Sequence, residues 1–365
     1  MKIGILTFHF ACNYGAVLQC YALQHYLTVA GHEVSVVDYR PKSVSEGYRW
    51  FDIRRFWGAT PARFWRKTKS ELKVIGSRRK RYSAFDSFVS RSLTLTEPVY
   101  DKDSMAALAK DFDLIIAGSD QIWNTRLTNG IDPIYWGAFQ RGSGTSLISY
   151  AASMEDGFSN ETKAGVSSLL TGFNALSVRE ESLKNALEPY LDGRKVSTVV
   201  DPTLLLDKDQ WSSLASGPLI KEPYLLFYQV RRSEKARDAA VELARRKGLK
   251  PVFISAKPEL ENSPEVAESS PEQFVSLFRN ASFVVTTSFH GTVFSLIFEK
   301  DFICMPVQDG RNSRQENLLS SVGLPDRNIE ELPEGDLPTI DWNTVAQRKQ
   351  DMLESTYEFL KSCGL

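Results

Sequence analysis

The sequence predicts an α/β protein made of two Rossmann-like halves. Short apolar, β-branched runs alternate with helical segments along most of the chain. The first unit, Lys2 to Tyr39, reads strand, loop, helix, strand. A second series of the same kind begins at Pro223, after a boundary turn at Asp201-Pro202. With 365 residues the chain has room for two domains of ordinary size.

The first strand is Lys2 to Phe8. A polar loop, His9 to Gly15, leads into a helix from Ala16 to Leu27 whose apolar residues fall three and four apart. Gly31-His32 closes the helix, and Glu33 to Tyr39 is the next strand. The unit lacks G-x-G-x-x-G, so no dinucleotide site is indicated. In a sheet of this class ligands bind beyond the carboxyl ends of the strands. Asn13, Tyr14 and Gln19 are therefore candidates for a site, with turn formation and helix capping as the alternative.

From about Arg49 to Arg91 the composition changes. Basic residues, including Arg54-Arg55 and Arg78-Arg79-Lys80-Arg81, interleave with Trp50, Trp57, Phe64 and Trp65, and acids are scarce. The stretch reads either as a helical insertion packed on the body or as a peripheral contact with an anionic membrane.

Asp113 to Ala117 is a strand ending in Gly118-Ser119-Asp120-Gln121-Ile122-Trp123-Asn124. An aromatic ring beside acid and amide groups suits a sugar, so Gln121, Trp123 and Asn124 join Asn13, Tyr14 and Gln19 as candidate acceptor-binding residues. Asp120 can act as a general base or simply cap the next element. Further strands run from Ser146 and Ala175, and Arg179 follows the second. Arg179 can fork onto an anion or pair with Glu180 or Glu181.

In the second half, Pro223 to Val230 is a strand and Ser233 to Lys247 a helix closed by Gly248. Pro251 to Ser255 is a strand and Glu272 to Arg279 a helix. The central stretch is Phe283 to Phe298, a buried strand that turns through Ser288-Phe289-His290-Gly291-Thr292 into a helix. Helix N-termini attract anions, and His290 can donate to one or move a proton; the alternative is a histidine packed under the helix. Arg311 and Arg314 follow the strand Phe302 to Met305. An amphipathic helix from about Trp342 to Leu360 is expected to pack back on the first half. The expected division is 1–205, 206–341 and 342–365.

Composition bounds the remaining options. A hydrophobic fraction of 42% with 24% charged residues describes a globular chain, and a net charge of −1 gives no field for nucleic acid. Cys12, Cys20, Cys304 and Cys363 form neither a zinc nor a disulfide pattern, so a cytoplasmic location is expected. No metal site is indicated, and no run of residues is long and apolar enough to cross a bilayer.

Six motifs in order over nearly the whole chain resemble those of the polysaccharide pyruvyl transferase family. They are Asn13 to Gln19, Gly118 to Asn124, Ser149 to Ser153, Ser177 to Glu180, Asp201 to Leu205 and Ser288 to Thr292. The resemblance implies a GT-B-like arrangement with an inter-domain cleft. It implies transfer of a pyruvyl group from phosphoenolpyruvate to sugar hydroxyls, commonly as a cyclic ketal, with phosphate released and no cofactor. The acceptor is then a sugar or lipid-linked oligosaccharide, with the enzyme at the inner face of the plasma membrane as one option.

The resemblance also assigns residues. Arg179 matches the family's donor-binding arginine and His290 its histidine. Ser288, Gly291, Thr292 and either Arg311 or Arg314 complete the expected donor site; the chemistry of that reaction, rather than the resemblance, gives His290 the acid role and Asp120 the base role. Thr287 stands where many members carry an acidic residue. A nucleotide-sugar glycosyltransferase of GT-B type and a non-catalytic glycan-binding protein are the competing readings.

Overall fold

The computed structural model describes residues 1–46, 61–154, 160–257, 260–307 and 312–365. The first half contains β1 (Lys2–Leu6), α1 (Tyr14–Val29), β2 (Glu33–Tyr39), α2 (Lys42–Ser45), α3 (Pro61–Ser92) and β3 (Leu95–Val99). It continues through α4 (Lys102–Ala109), β4 (Leu114–Ala117), α5 (Thr125–Thr128), β5 (Ser146–Ser149), α6 (Asn160–Leu170), β6 (Leu176–Val178), α7 (Glu181–Leu187) and β7 (Val196–Thr198). The five-stranded parallel sheet runs β3-β2-β1-β4-β5, with Ile3 opposite both Val34 and Leu114. The β6–β7 pair continues it through bridges Ile148–Ala175 and Ala152–Val178. This is the Rossmann order, with its switch point between β1 and β4.

The second half contains α8 (Lys208–Leu214), β8 (Tyr224–Gln229), α9 (Glu234–Lys247), β9 (Lys250–Ser255), α10 (Pro271–Asn280), β10 (Phe283–Thr286), α11 (Phe289–Ile297), β11 (Phe302–Cys304) and α12 (Ser313–Ser321). Its parallel sheet runs β11-β10-β8-β9, so its switch point lies between β8 and β10. The β8 and β10 strands are buried along their whole length, which is why they read as unbroken apolar runs. The fold is therefore α/β with two Rossmann-like units, in the GT-B-like arrangement that the motifs imply.

One apolar cluster runs through both halves, from Ile3 and Val17 to Phe274 and Val284. Tyr14 sits at its middle. Its ring stacks on Phe274 at 4.2 Å with 10° between planes, and its hydroxyl donates to the carbonyl of Ser269 at 2.9 Å. Helix α3 braces the same junction with Phe85 and Phe88, and Arg81 Nη2 donates to the carbonyl of Ser255 at 2.5 Å. The last helix, α13 (Trp342–Ser362), packs back on the first half: Tyr357 stacks on Tyr26, and Thr356 Oγ1 accepts from the amide of Val200.

These contacts correct one expectation. Arg78 and Arg81 are buried, so they present no charge to a membrane; Arg79 and Lys80 are exposed. The part of the basic, aromatic stretch at 49–60 lies outside the described residues. No helix among the described residues is long and apolar enough to cross a membrane.

Candidate active site between the two sheets

The two switch points face each other. A small cavity of about 70 Å³ between them is lined by Asn13 and Ala16 after β1, Asp120 and Gln121 after β4, and Arg231 after β8. Thr287, Ser288 and His290 after β10 and Arg314 of α12 also line it. Ligands of open α/β sheets sit at such points.

Each side chain is placed by local chemistry. Asn13 caps α1 by accepting from the amide of Gly15 at 3.1 Å, and Ser288 caps α11 by accepting from the amide of Gly291 at 3.5 Å. The turn before Asp120 needs Gly118: its φ is +126°, and a Cβ there would overlap the carbonyl of Tyr150. Asp120 itself has a φ of +66°, a conformation that aspartate tolerates, and its carbonyl accepts from the amide of Ser153 at 3.0 Å.

His290 is nearly buried, with its ring against Gly15 of the other half. Its Nε2 lies 3.5 Å from Asp201 Oδ2 and has no hydrogen-bond partner among the described residues. Thr287 Oγ1, in the same wall, is likewise buried and without one.

Arg179 borders a second cavity, of about 370 Å³, which shares Phe289 and Arg314 with the first. Its Nε donates to Glu180 at 2.9 Å, its Nη1 to Asp201 at 2.6 Å and its Nη2 to Ser153 Oγ at 2.9 Å. The guanidinium carbon lies 4.6 Å over the ring of Phe289. Burial alone would lower its pKa, but Glu180, Asp201 and Asp120 outweigh it and raise it. Burial would likewise raise the pKa of Asp201, yet His290 and then Arg179 hold it well below the usual carboxylate range.

Of the expected residues, Asn13, Asp120, Gln121, Ser288, His290 and Arg314 meet at one cavity. Others do not reach it. Tyr14 is core, as described above. Gln19 is buried and donates to Thr7 Oγ1 and the carbonyl of Ala16. Trp123 is wholly buried, stacked on Trp136 at 4.7 Å, and its indole donates to the carbonyl of Tyr135, so it offers no face to a sugar. Asn124 caps α5 and donates to Gln121 at 2.6 Å. Thr292 is buried, with its hydroxyl on the carbonyl of Ser288. The backbone of Gly291 is tied to the Ser288 cap. Arg311 lies outside the described residues. Arg231 was not foreseen, although its place after a strand's carboxyl end is the signal that marked the others.

The profile of the polysaccharide pyruvyl transferase family matches residues 13–309, which takes in both switch points. The chain belongs to that family. No curated protein matches significantly. Among solved structures, the UDP-GlcNAc 2-epimerase of Neisseria meningitidis bound to UDP-GlcNAc is similar at 11% identity and a TM-score of 0.48. That alignment covers 99% of this chain and 93% of the other. A glycosyltransferase of Streptomyces sp. SF2575 complexed with thymidine diphosphate is 17% identical with a TM-score of 0.42, covering 97% and 96%. The heptosyltransferase WaaC of E. coli with ADP is 14% identical with a TM-score of 0.38, covering 96% and 100%. Likeness at this level says nothing about ligand or chemistry. Membership of the pyruvyl transferases makes the chain a transferase of polysaccharide biosynthesis.

Proposed function

We propose that this pyruvyl transferase moves a pyruvyl group from phosphoenolpyruvate to hydroxyls of a sugar in a surface polysaccharide or exopolysaccharide precursor, forming a cyclic ketal. One observation carries the reading. The wall of the cavity between the switch points includes His290 and Thr287, whose Nε2 and Oγ1 are buried and without hydrogen-bond partners among the described residues. Arg231 and Arg314 lie in its wall, with the Asp120 carboxylate and the capped start of α11. A small metabolite with a carboxylate and a phosphate needs cations, N–H donors and a proton donor close together.

The residues then divide the work. Arg231, Arg314 and the start of α11 hold the donor's anionic groups. Asp120 takes the proton of a sugar hydroxyl as its oxygen bonds to the enol carbon. His290 delivers a proton to the methylene carbon, which becomes a methyl group. The phosphate–carbon bond breaks, and a neighbouring hydroxyl bonds to the same carbon. Its proton leaves with the phosphate, so one donor and two hydroxyls give one ketal and one phosphate. Asn13 and Gln121, in the same wall, are assigned to the acceptor.

Thermal unfolding with each donor separates this reading from nucleotide-sugar transfer. Saturating phosphoenolpyruvate, at about a hundred times its Kd, is expected to stabilise the chain by about 2.7 kcal/mol. Stabilisation by nucleotide sugars with none by phosphoenolpyruvate contradicts the proposal.

A further inference from the structure

We propose that Asp201 is a positioning residue that holds the His290 ring across the junction of the two halves, and that Arg179 acts through Asp201 as its buried counter-ion rather than as a ligand of the donor. Its kinetic test rests on the role given to His290 above; its spectroscopic test does not.

The geometry of Arg179 carries half of the argument. Each of its three nitrogens already donates to a group of the protein, its side chain is 2% exposed, and Phe289 covers one face. A guanidinium so committed is poorly placed to fork onto a small anion. It is well placed to keep a buried carboxylate ionised.

The carboxylate of Asp201 carries the other half. Its Oδ1 accepts from both the amide and the hydroxyl of Thr203, at 3.0 and 2.6 Å, so the group cannot turn. Its Oδ2 is thereby fixed between Arg179 Nη1 at 2.6 Å and His290 Nε2 at 3.5 Å. Gly15 closes the opposite side of the imidazole. The ring, carried by the second half, is gripped in one orientation between two groups of the first half. At 3.5 Å the carboxylate favours a proton on Nε2 electrostatically without taking up its hydrogen bond. The charged partner thereby fixes the tautomer.

Ring-¹⁵N histidine NMR on the full chain tests this. The chain has four histidines, so His290 can be assigned with His290→Gln. The neutral ring of His290 is expected to carry its proton on Nε2 in the wild type and to mix tautomers in Asp201→Asn. A wild-type ring with its proton on Nδ1 overturns the proposal, and that result needs no folded variant.

The kinetic arm uses Arg179→Lys and Asp201→Asn. Both are expected to lower kcat by about a hundredfold while phosphoenolpyruvate binding, by calorimetry, changes less than about threefold. A loss of affinity of about tenfold or more in Arg179→Lys with kcat kept overturns the proposal and makes Arg179 a donor ligand. Absence of phosphate release by the wild type would instead remove the pyruvyl-transfer reading and leave the NMR result to decide the positioning role.

Discussion

The imidazole of His290 packs directly on the backbone of Gly15, which belongs to the other half of the chain: a Cβ at Gly15 would overlap the ring. Position 15 lies in the first turn of a helix, where alanine is intrinsically favoured over glycine by about 1 kcal/mol. Overpacking at a buried contact costs about 1–3 kcal/mol, so the clash wins. Gly15→Ala is expected to destabilise the chain and to lower transfer at least about tenfold by displacing His290. Urea unfolding and steady-state turnover check this; an alanine that stabilises the chain with full activity would mean the ring is free to move aside.

Burial of Asp201 beside Arg179 and His290 links stability to pH. Its pKa is depressed on folding from an ordinary value near 3.8. Its contribution is therefore fully present above that value and is lost as pH falls towards the depressed one. Asp201→Asn breaks a buried ion pair and is expected to cost about 3–5 kcal/mol at neutral pH. The gap between variant and wild type should narrow in acid. Urea unfolding from neutral pH down to about pH 2 measures it. An equal gap throughout would show that the carboxylate carries no linked proton.

The Gly118 to Asn124 turn was legible as a site loop, but its parts were not separable by sequence. Asp120 and Gln121 line the cavity, whereas Trp123 is buried against Trp136. Nothing in a seven-residue turn without periodicity says which side chain points inwards. Trp123→Ala is expected to cost about 3–5 kcal/mol of stability, as for a core tryptophan, with the acceptor KM of the folded fraction unchanged. A selective rise in acceptor KM without loss of stability would restore the ring as a sugar platform.

The buried strands β1, β4, β8 and β10 could be read because each is a short apolar run. The β3 strand could not: Leu95–Val99 is a part-exposed edge strand carrying Pro98, so it shows neither a run nor clean alternation. Of the candidate site, the residues at strand ends were visible because topology alone puts them there. The approach of Asp201 to His290 was not, since it depends on how one half docks on the other.

Helix α3 shows the same limit with charge. Composition groups Arg78, Arg79, Lys80 and Arg81 together, but helical spacing sends Arg78 and Arg81 inwards, and Arg81 lies 4.7 Å over the ring of Tyr14. Arg81→Ala is expected to destabilise the chain by about 2–4 kcal/mol, through lost packing and an unmet Ser255 carbonyl. Arg79→Gln with Lys80→Gln should stay within about 0.5 kcal/mol of wild type. Urea unfolding of the two variants decides between a buried strut and a solvated basic face; equal effects would contradict the strut.

Phosphate release from phosphoenolpyruvate, followed in the presence of sugar acceptors with vicinal or 1,3-related hydroxyls, tests the central claim most directly. The account predicts one phosphate per ketal formed by the wild-type chain. It predicts a loss of at least about a thousandfold in His290→Ala, with the fold retained. Turnover in His290→Ala equal to that of the wild type would contradict it.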